Sequence, residues 1–253
     1  MNGRVYPDDL GKSISFKEFY DRIDAGAMPV TSMINVDEFT KFFEPFLSAG
    51  TDVLHLEMSS AISGTYNCAR MAREELLAKY PERKFYLVDS LGASAGFGML
   101  VDAAWDMKQA GSSAEEIYNW LEENKLRAQA WFCVDDLKYL KRGGRVSGAA
   151  AAIGTMLSIK PVLGVDDAGH LIPKEKVQGR RRAIKALADH MAQNVNLPYN
   201  GPIFISHCDC ENEAMQLAEQ LESRVGAKTE IVNQIGPVVG AHSGPGTLAL
   251  FFV

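Results

Sequence analysis

The strongest constraint on this chain is an alternation in its first half. Val53 to Met58 reads as a strand, Ser59 to Gly64 as a turn, and the residues through Tyr66, Ala69 and Leu76 as a helix. Phe85 to Val88 then reads as a second strand, followed by a glycine-rich turn from Asp89 to Gly98 and a helix through Leu100, Ala104 and Met107. Strand, turn and helix in that repeated order build a parallel sheet covered by helices. Two helices are expected before it. Ser15 with Glu18 and Asn35 with Glu38 have capping-box spacing. The first opens a helix carrying Phe16, Phe19, Tyr20 and Ile23, which stops by Gly26 and Pro29. The second carries Phe39, Phe42, Phe43, Phe46 and Leu47 on one expected buried face, with Pro45 expected to kink or shorten it.

After a helix capped by Ser113 and Glu116, burying Ile117, Trp120 and Leu121, the texture changes. Ala130 to Val134, Lys160 to Val165, His170 to Lys176, Ile203 to His207, Glu230 to Gln234 and Thr247 to Phe252 read as strands, interrupted by two helices. The strands around Asp166-Asp167-Ala168-Gly169 form an expected hairpin, so the second half reads as α+β with a largely antiparallel sheet. The expected fold is therefore an N-terminal parallel-sheet α/β domain, residues 1–125, plus a C-terminal α+β domain, residues 126–253. A length of 253 residues accommodates two such domains at roughly 100 to 200 residues each.

Composition narrows the function. There are 26 Lys and Arg against 32 Asp and Glu, and a net charge of -6 disfavours nucleic acid as the main partner. Four cysteines, Cys68, Cys133, Cys208 and Cys210, are too sparse for a disulfide framework and fit a reducing cytoplasm. No run approaches the ~20 apolar residues that span a bilayer, and no signal sequence opens the chain, so membrane insertion and secretion are not expected.

Several segments could carry chemistry. Ser59, Ser60, Ser63 and Gly64 stand at a strand end, where the next helix offers unpaired N–H groups to an anion; the plainer alternative is that Ser59 or Ser60 caps that helix. Thr31-Ser32 adds hydroxyls in a loop. The glycines from Gly92 to Gly98 lack the spacing of a dinucleotide or phosphate loop, and close strand-to-helix packing explains them better. Two basic clusters, Lys138, Lys141, Arg142 and Arg145, and Arg180-Arg181-Arg182, could meet a phosphate or an acidic partner, or be solvated faces. His207-Cys208-Asp209-Cys210 has too few partners for a zinc site. Finally, Ile235 to Gly246 surrounds His242 with four glycines and two prolines, a tightly specified loop that can hold one imidazole in place. Met58, Met99, Met107 and Met156 could line a flexible apolar cavity, though core packing is the simpler role.

Taken together, Pro29-Val30-Thr31-Ser32, Ser59 to Tyr66, Asp89-Ser90 with its glycines, Leu137 to Val146, Ile159-Lys160-Pro161 and Ile235 to Gly246 resemble the DegV family, in the family's order. The resemblance implies a two-domain protein that encloses one long-chain fatty acid between the domains. It further implies the binding subunit of a bacterial fatty-acid kinase, whose partner subunit phosphorylates the carboxylate with ATP. It places Thr31, the pair Ser59-Ser60, with Ser60 favoured, and His242 at the carboxylate, with Ser63 and Gly64 in the same loop. Arg142, Arg145, Arg180, Arg181 and Arg182 would meet the kinase. No cofactor, metal or catalytic residue is expected; the alternatives are a serine hydrolase or acyltransferase using Ser60 and His242, or a phosphosugar or nucleotide binder at the glycine loop. This chain departs from the family pattern at Met33-Ile34, where Gln-Pro is usual. Members also begin with a strand and a Thr-Asp-Ser loop ahead of the Asn2-Gly3 turn, so an upstream start is expected; a chain truly starting at Met1 would bind poorly or need a partner over the gap.

Overall fold

The computed structural model describes Met1, residues 3–146 and residues 159–253. Asn2 and Met156, both singled out above, lie outside the described residues. In chain order the helices and strands are α1 (Phe16–Asp24), α2 (Val36–Ser48), β1 (Val53–Glu57), α3 (Thr65–Lys79), β2 (Phe85–Asp89), α4 (Ser94–Gln109), α5 (Ala114–Asn124), β3 (Gln129–Cys133), α6 (Lys138–Arg142), β4 (Ile159–Val165), β5 (Leu171–Gln178), α7 (Arg180–Asn194), β6 (Ile203–His207), α8 (Glu211–Val225), β7 (Ile231–Gln234), α9 (Pro237–Ser243) and β8 (Leu248–Phe252). They form a mixed α/β structure with a small parallel sheet and a larger, mostly antiparallel one.

The chain divides into two units, one of Met1–Thr31, Gln129–Asp166 and Leu171–Val253, the other of Ser32–Ala128 and Asp167–His170. This division differs from a single cut at 125 at residues 1–31, 126–128 and 167–170. For residues 1–31 the reason is packing: α1 puts Phe19, Tyr20 and Ile23 into a cluster with Tyr139, Cys208, Ile235 and Ala241 of the C-terminal half.

In the Ser32–Ala128 unit, β1 and β2 pair in parallel from Val53 opposite Phe85 to Glu57 opposite Asp89. Alternation along the strands sends Val53, Phe85 and Leu87 to one core, with Phe39, Phe43 and Leu47 of α2 and Ala69, Ala72 and Leu76 of α3. Val88, with Leu54 and Leu56 beside it, joins a second core with Leu100, Ala104, Ile117 and Leu121. Capping boxes at Asn35–Glu38 and Ser113–Glu116 start α2 and α5. The expected five-residue buried face of α2 is narrower than read: Phe42 and Phe46 are 63% and 47% exposed. A helix packed on one side buries only the residues that turn toward its neighbours, here positions 39, 43 and 47. Pro45 does not shorten α2, which continues to Ser48, because Pro45 stands in the last turn and loses only one ladder bond.

The other unit is built on a six-stranded sheet, ordered β5-β4-β3-β8-β6-β7, in which β6 and β7 alone pair in parallel. The hairpin of β4 and β5 carries a register shift at Val162 and Leu163. Ile203, Ile205, Leu248, Leu250 and Phe252 pack with Ala183, Ile184, Leu187 and Met191 of α7 and Leu217 and Leu221 of α8. Ile235 to Gly246, expected as a loop, contains α9: Pro237 occupies the first turn, where its missing N–H costs nothing, and Gly244 at φ +79° ends the helix.

Candidate functional site

One candidate group of residues is organised by α9. Its His242 Nε2 lies 2.8 Å from Thr31 Oγ1, a pair 211 residues apart in sequence. The helix is seated by close contacts. Tyr20, fully buried, donates its hydroxyl to the Ile235 carbonyl at 2.7 Å, and a β-carbon at Gly240 would stand 2.3 Å from that same hydroxyl. On the other side the Gly143 backbone lies against the imidazole, since a β-carbon there would come within 2.3 Å of His242 Nδ1. Burial, and after it the guanidiniums of Arg145 and Arg142, hold His242 down to about 4, so the ring is neutral at neutral pH. Positive charge comes instead from the arginines. Arg142 donates to the Ala241 carbonyl at 3.4 Å, and Arg145 donates to the Gly143 carbonyl.

A separate candidate group is the turn from β1 into α3. Ser59 is wholly buried and fully engaged: its hydroxyl donates to the Gly169 carbonyl at 2.9 Å and accepts from the Ala61 N–H at 3.2 Å. Its carbonyl accepts from Ile62 and Ser63. Ser63 accepts from the Thr65 N–H and donates to the Thr65 hydroxyl at the first residue of α3. Ser60 differs, being exposed, with a hydroxyl that makes no hydrogen bond to any described residue. Its backbone N–H is held by Asp89 Oδ1 at 3.2 Å. The N-cap of α3 is Gly64, with no side-chain hydrogen bond to the cap, so neither Ser59 nor Ser60 caps that helix. Met33, at one of the two departures from the family pattern, lays its thioether over Gly64, whose β-carbon would sit 2.7 Å from Met33 Sδ.

The arginine run separates into two kinds. Arg180, only 16% exposed, points inward: it donates to Glu213 through Nε and Nη2 at 3.0 and 2.6 Å and to the sulfurs of Cys133 and Cys210. That pairing compensates the burial of the guanidinium, which is stable only with such a partner. Arg181 and Arg182 are exposed. Burial pushes the thiols of Cys133 and Cys208 up to about 11 and that of Cys210 to about 12, so all three are protonated at neutral pH and poor ligands or nucleophiles. Among the described residues no group of three or more His, Cys, Asp or Glu side chains is arranged for a metal, and no helix is long and apolar enough to cross a membrane.

A family model described as "Uncharacterised protein, DegV family" matches residues 1–253. The chain belongs to the DegV family. A DegV domain-containing protein of Clostridium perfringens is 44% identical over 253 residues, covering 100% of this DegV-family chain and 87% of the relative. The fold matches that of a Thermotoga maritima protein whose structure is described as revealing a fatty acid binding function, with a TM-score of 0.83, 30% identity, and coverage of 99% of this chain and 87% of that one. A stearic acid-binding protein from Eubacterium ventriosum aligns with a TM-score of 0.86 and 26% identity over 96% of this chain and 85% of its own.

Residue spacing missed the surroundings of His242. The basic cluster around Arg142 gives no sign in sequence of contact with the Ile235 to Gly246 segment, yet Arg142 bonds the residue before His242 across 99 positions of sequence. Tyr20 stands in sequence as one more apolar residue of α1. Only the family blocks at Leu137 to Val146 and Ile235 to Gly246 hinted at a connection, and nothing in their spacing said that they touch.

Proposed function

We propose that this chain binds a long-chain fatty acid and presents its carboxylate to an ATP-dependent kinase subunit, which converts it to an acyl phosphate. The residues that receive the carboxylate are Thr31, oriented by His242, and Ser60, and this chain performs no chemistry of its own. The observation that carries the reading is the Thr31–His242 pair: a hydroxyl and a neutral imidazole backed by two arginines suit an anion that must be oriented without being protonated. Fatty-acid binding described for the Thermotoga and Eubacterium proteins supports it.

Energetics assign the two ends of the ligand different tasks. About fifteen methylenes at ~0.8 kcal/mol each supply on the order of 12 kcal/mol of gross driving force, before ordering costs. The tail provides affinity. An unpaired dry carboxylate would cost several kcal/mol, so the polar groups chiefly set orientation. A hydrolase reading is not favoured, because a serine nucleophile needs a base within hydrogen-bond reach and the Ser60 hydroxyl bonds to no described residue.

For the kinase, Arg142, Arg145, Arg181 and Arg182 are the contact residues, Arg180 being spent on Glu213. Native mass spectrometry of gently purified protein should show a co-purifying fatty acid. With a kinase subunit and ATP, the double reversal Arg181→Glu, Arg182→Glu should slow acyl-phosphate formation while fatty-acid affinity stays unchanged; undiminished rates would remove the partner role. Covalent labelling of Ser60 by a fluorophosphonate, or turnover without ATP, would overturn the binding reading.

A further inference from the structure

We infer that Asp89 is a positioning residue for the Ser60 hydroxyl, acting through the Ser60 backbone amide. The inference rests on the reading that Ser60 meets the ligand's carboxylate. Asp89 closes β2 directly opposite Glu57, the last residue of β1, so its side chain stands where both strands release their loops. One carboxylate oxygen, Oδ1, accepts from the Ser60 N–H at 3.2 Å and from the Leu91 N–H at 3.1 Å. It thereby ties the loop after β1 to the loop after β2. Leu91 has φ +52°, a left-handed conformation that a leucine adopts at a cost, and the hydrogen bond from its amide helps to hold it there.

The consequence for Ser60 follows from its neighbours. Ser59 is fixed by Gly169 and Ala61, and Ser60 is fixed through its amide, so the backbone on both sides of the Ser60 side chain is set while the hydroxyl itself stays exposed. Amides at a helix entrance commonly receive phosphate or carboxylate ligands. Here the protein's own carboxylate already occupies the Ser60 amide. An incoming anion must therefore bind through the hydroxyl, and like charge on Asp89 discourages it from approaching the amide side.

The test measures stearic acid affinity of the whole chain by isothermal titration calorimetry for Asp89→Ala, Asp89→Asn, Ser60→Ala and the Asp89→Ala, Ser60→Ala double variant, with thermal unfolding of each. Asp89→Ala should weaken binding severalfold and by no more than Ser60→Ala does, because it acts only by loosening the backbone that aims the Ser60 hydroxyl. Because Asp89 acts through Ser60, the double variant should bind less than about twofold more weakly than Ser60→Ala alone. Asp89→Asn keeps an acceptor at the same place and should bind as tightly as the parent or more tightly, a rescue that general destabilisation would not produce. Should Asp89→Ala fail to fold, Asp89→Glu, which displaces the acceptor by one methylene, carries the same expected loss. Parent-like affinity in Asp89→Ala, or losses that multiply in the double variant, would overturn the role of Asp89 alone. A parent chain that does not bind stearic acid, or a Ser60→Ala variant that binds it undiminished, would instead overturn the reading beneath it.

Discussion

Thr31 Oγ1 and His242 Nε2 meet at 2.8 Å, and that contact joins the loop after α1 to α9 within one unit. One of the two atoms must donate. If Nε2–H donates, the Thr31 hydroxyl proton is free to point at a ligand; if the hydroxyl donates to Nε2, its oxygen faces the ligand as an acceptor, which a carboxylate would reject. A carboxylate bound at Thr31 would therefore select the tautomer with the proton on Nε2.

Thr31→Val keeps the shape of the side chain and deletes the donor. Fatty-acid affinity should fall about tenfold or more, because a hydrogen bond to a charged group is lost and the imidazole keeps no partner at Nε2. Thr31→Ser should retain most of the affinity. Both are measured by calorimetric titration, and equal affinity for the two variants would exclude the hydroxyl from the site.

His242 sets a pH window. Its folded value, about 4, lies below the ordinary 6.5, so the unfolded chain takes up the proton first as pH falls. The contribution of His242 to stability is complete above 6.5, declines between 6.5 and 4, and is lost below 4. Chemical denaturation across that range should show a steeper fall in the parent than in His242→Gln, which keeps a hydrogen-bonding side chain but cannot titrate. His207, also lowered by burial, shifts in the same direction in both proteins, so the difference between them reports His242.

Ser59 and Ser60 should separate stability from binding. Ser59→Ala leaves the buried Gly169 carbonyl and the Ala61 amide without their hydroxyl partner and should cost about 1–3 kcal/mol of unfolding free energy. Ser60→Ala removes an exposed hydroxyl and should change stability by less than about 0.5 kcal/mol while weakening fatty-acid binding. Thermal unfolding paired with titration checks both, and a reversed pattern would assign the ligand to Ser59.

Gly143→Ala tests the seat of the imidazole. The added methyl would stand 2.3 Å from Nδ1, so His242 must shift or α6 must move, at about 1–3 kcal/mol. The His242 ring resonances in an NMR spectrum should move, and affinity should drop even where the protein remains folded. An unchanged ring environment would mean that the two backbones give way instead.

The elements that were legible from sequence are those set by short-range chemistry. Asn35 with Glu38 and Ser113 with Glu116 did form capping boxes, and the hairpin turn at residues 166–169 lies between β4 and β5. The hydroxyl turn at Ser59 was recognisable because strand, serines and glycine lie side by side. Less legible was which of its hydroxyls is free: Ser59 is consumed by Gly169, 110 positions away, and spacing carries no record of such a partner.

What the sequence by itself determined is the order and kind of elements, and with the family blocks the membership in DegV, because capping, periodicity and turn chemistry act over a few residues. Only the tertiary structure decided that residues 1–31 join the C-terminal half, that Phe42 and Phe46 stay outside while Phe39 and Phe43 go in, and that Arg180 serves Glu213 rather than the surface. The physical reason is common to all three. A side chain's role depends on which distant groups desolvate or pair with it, and those groups are brought together by packing rather than by their place in the chain.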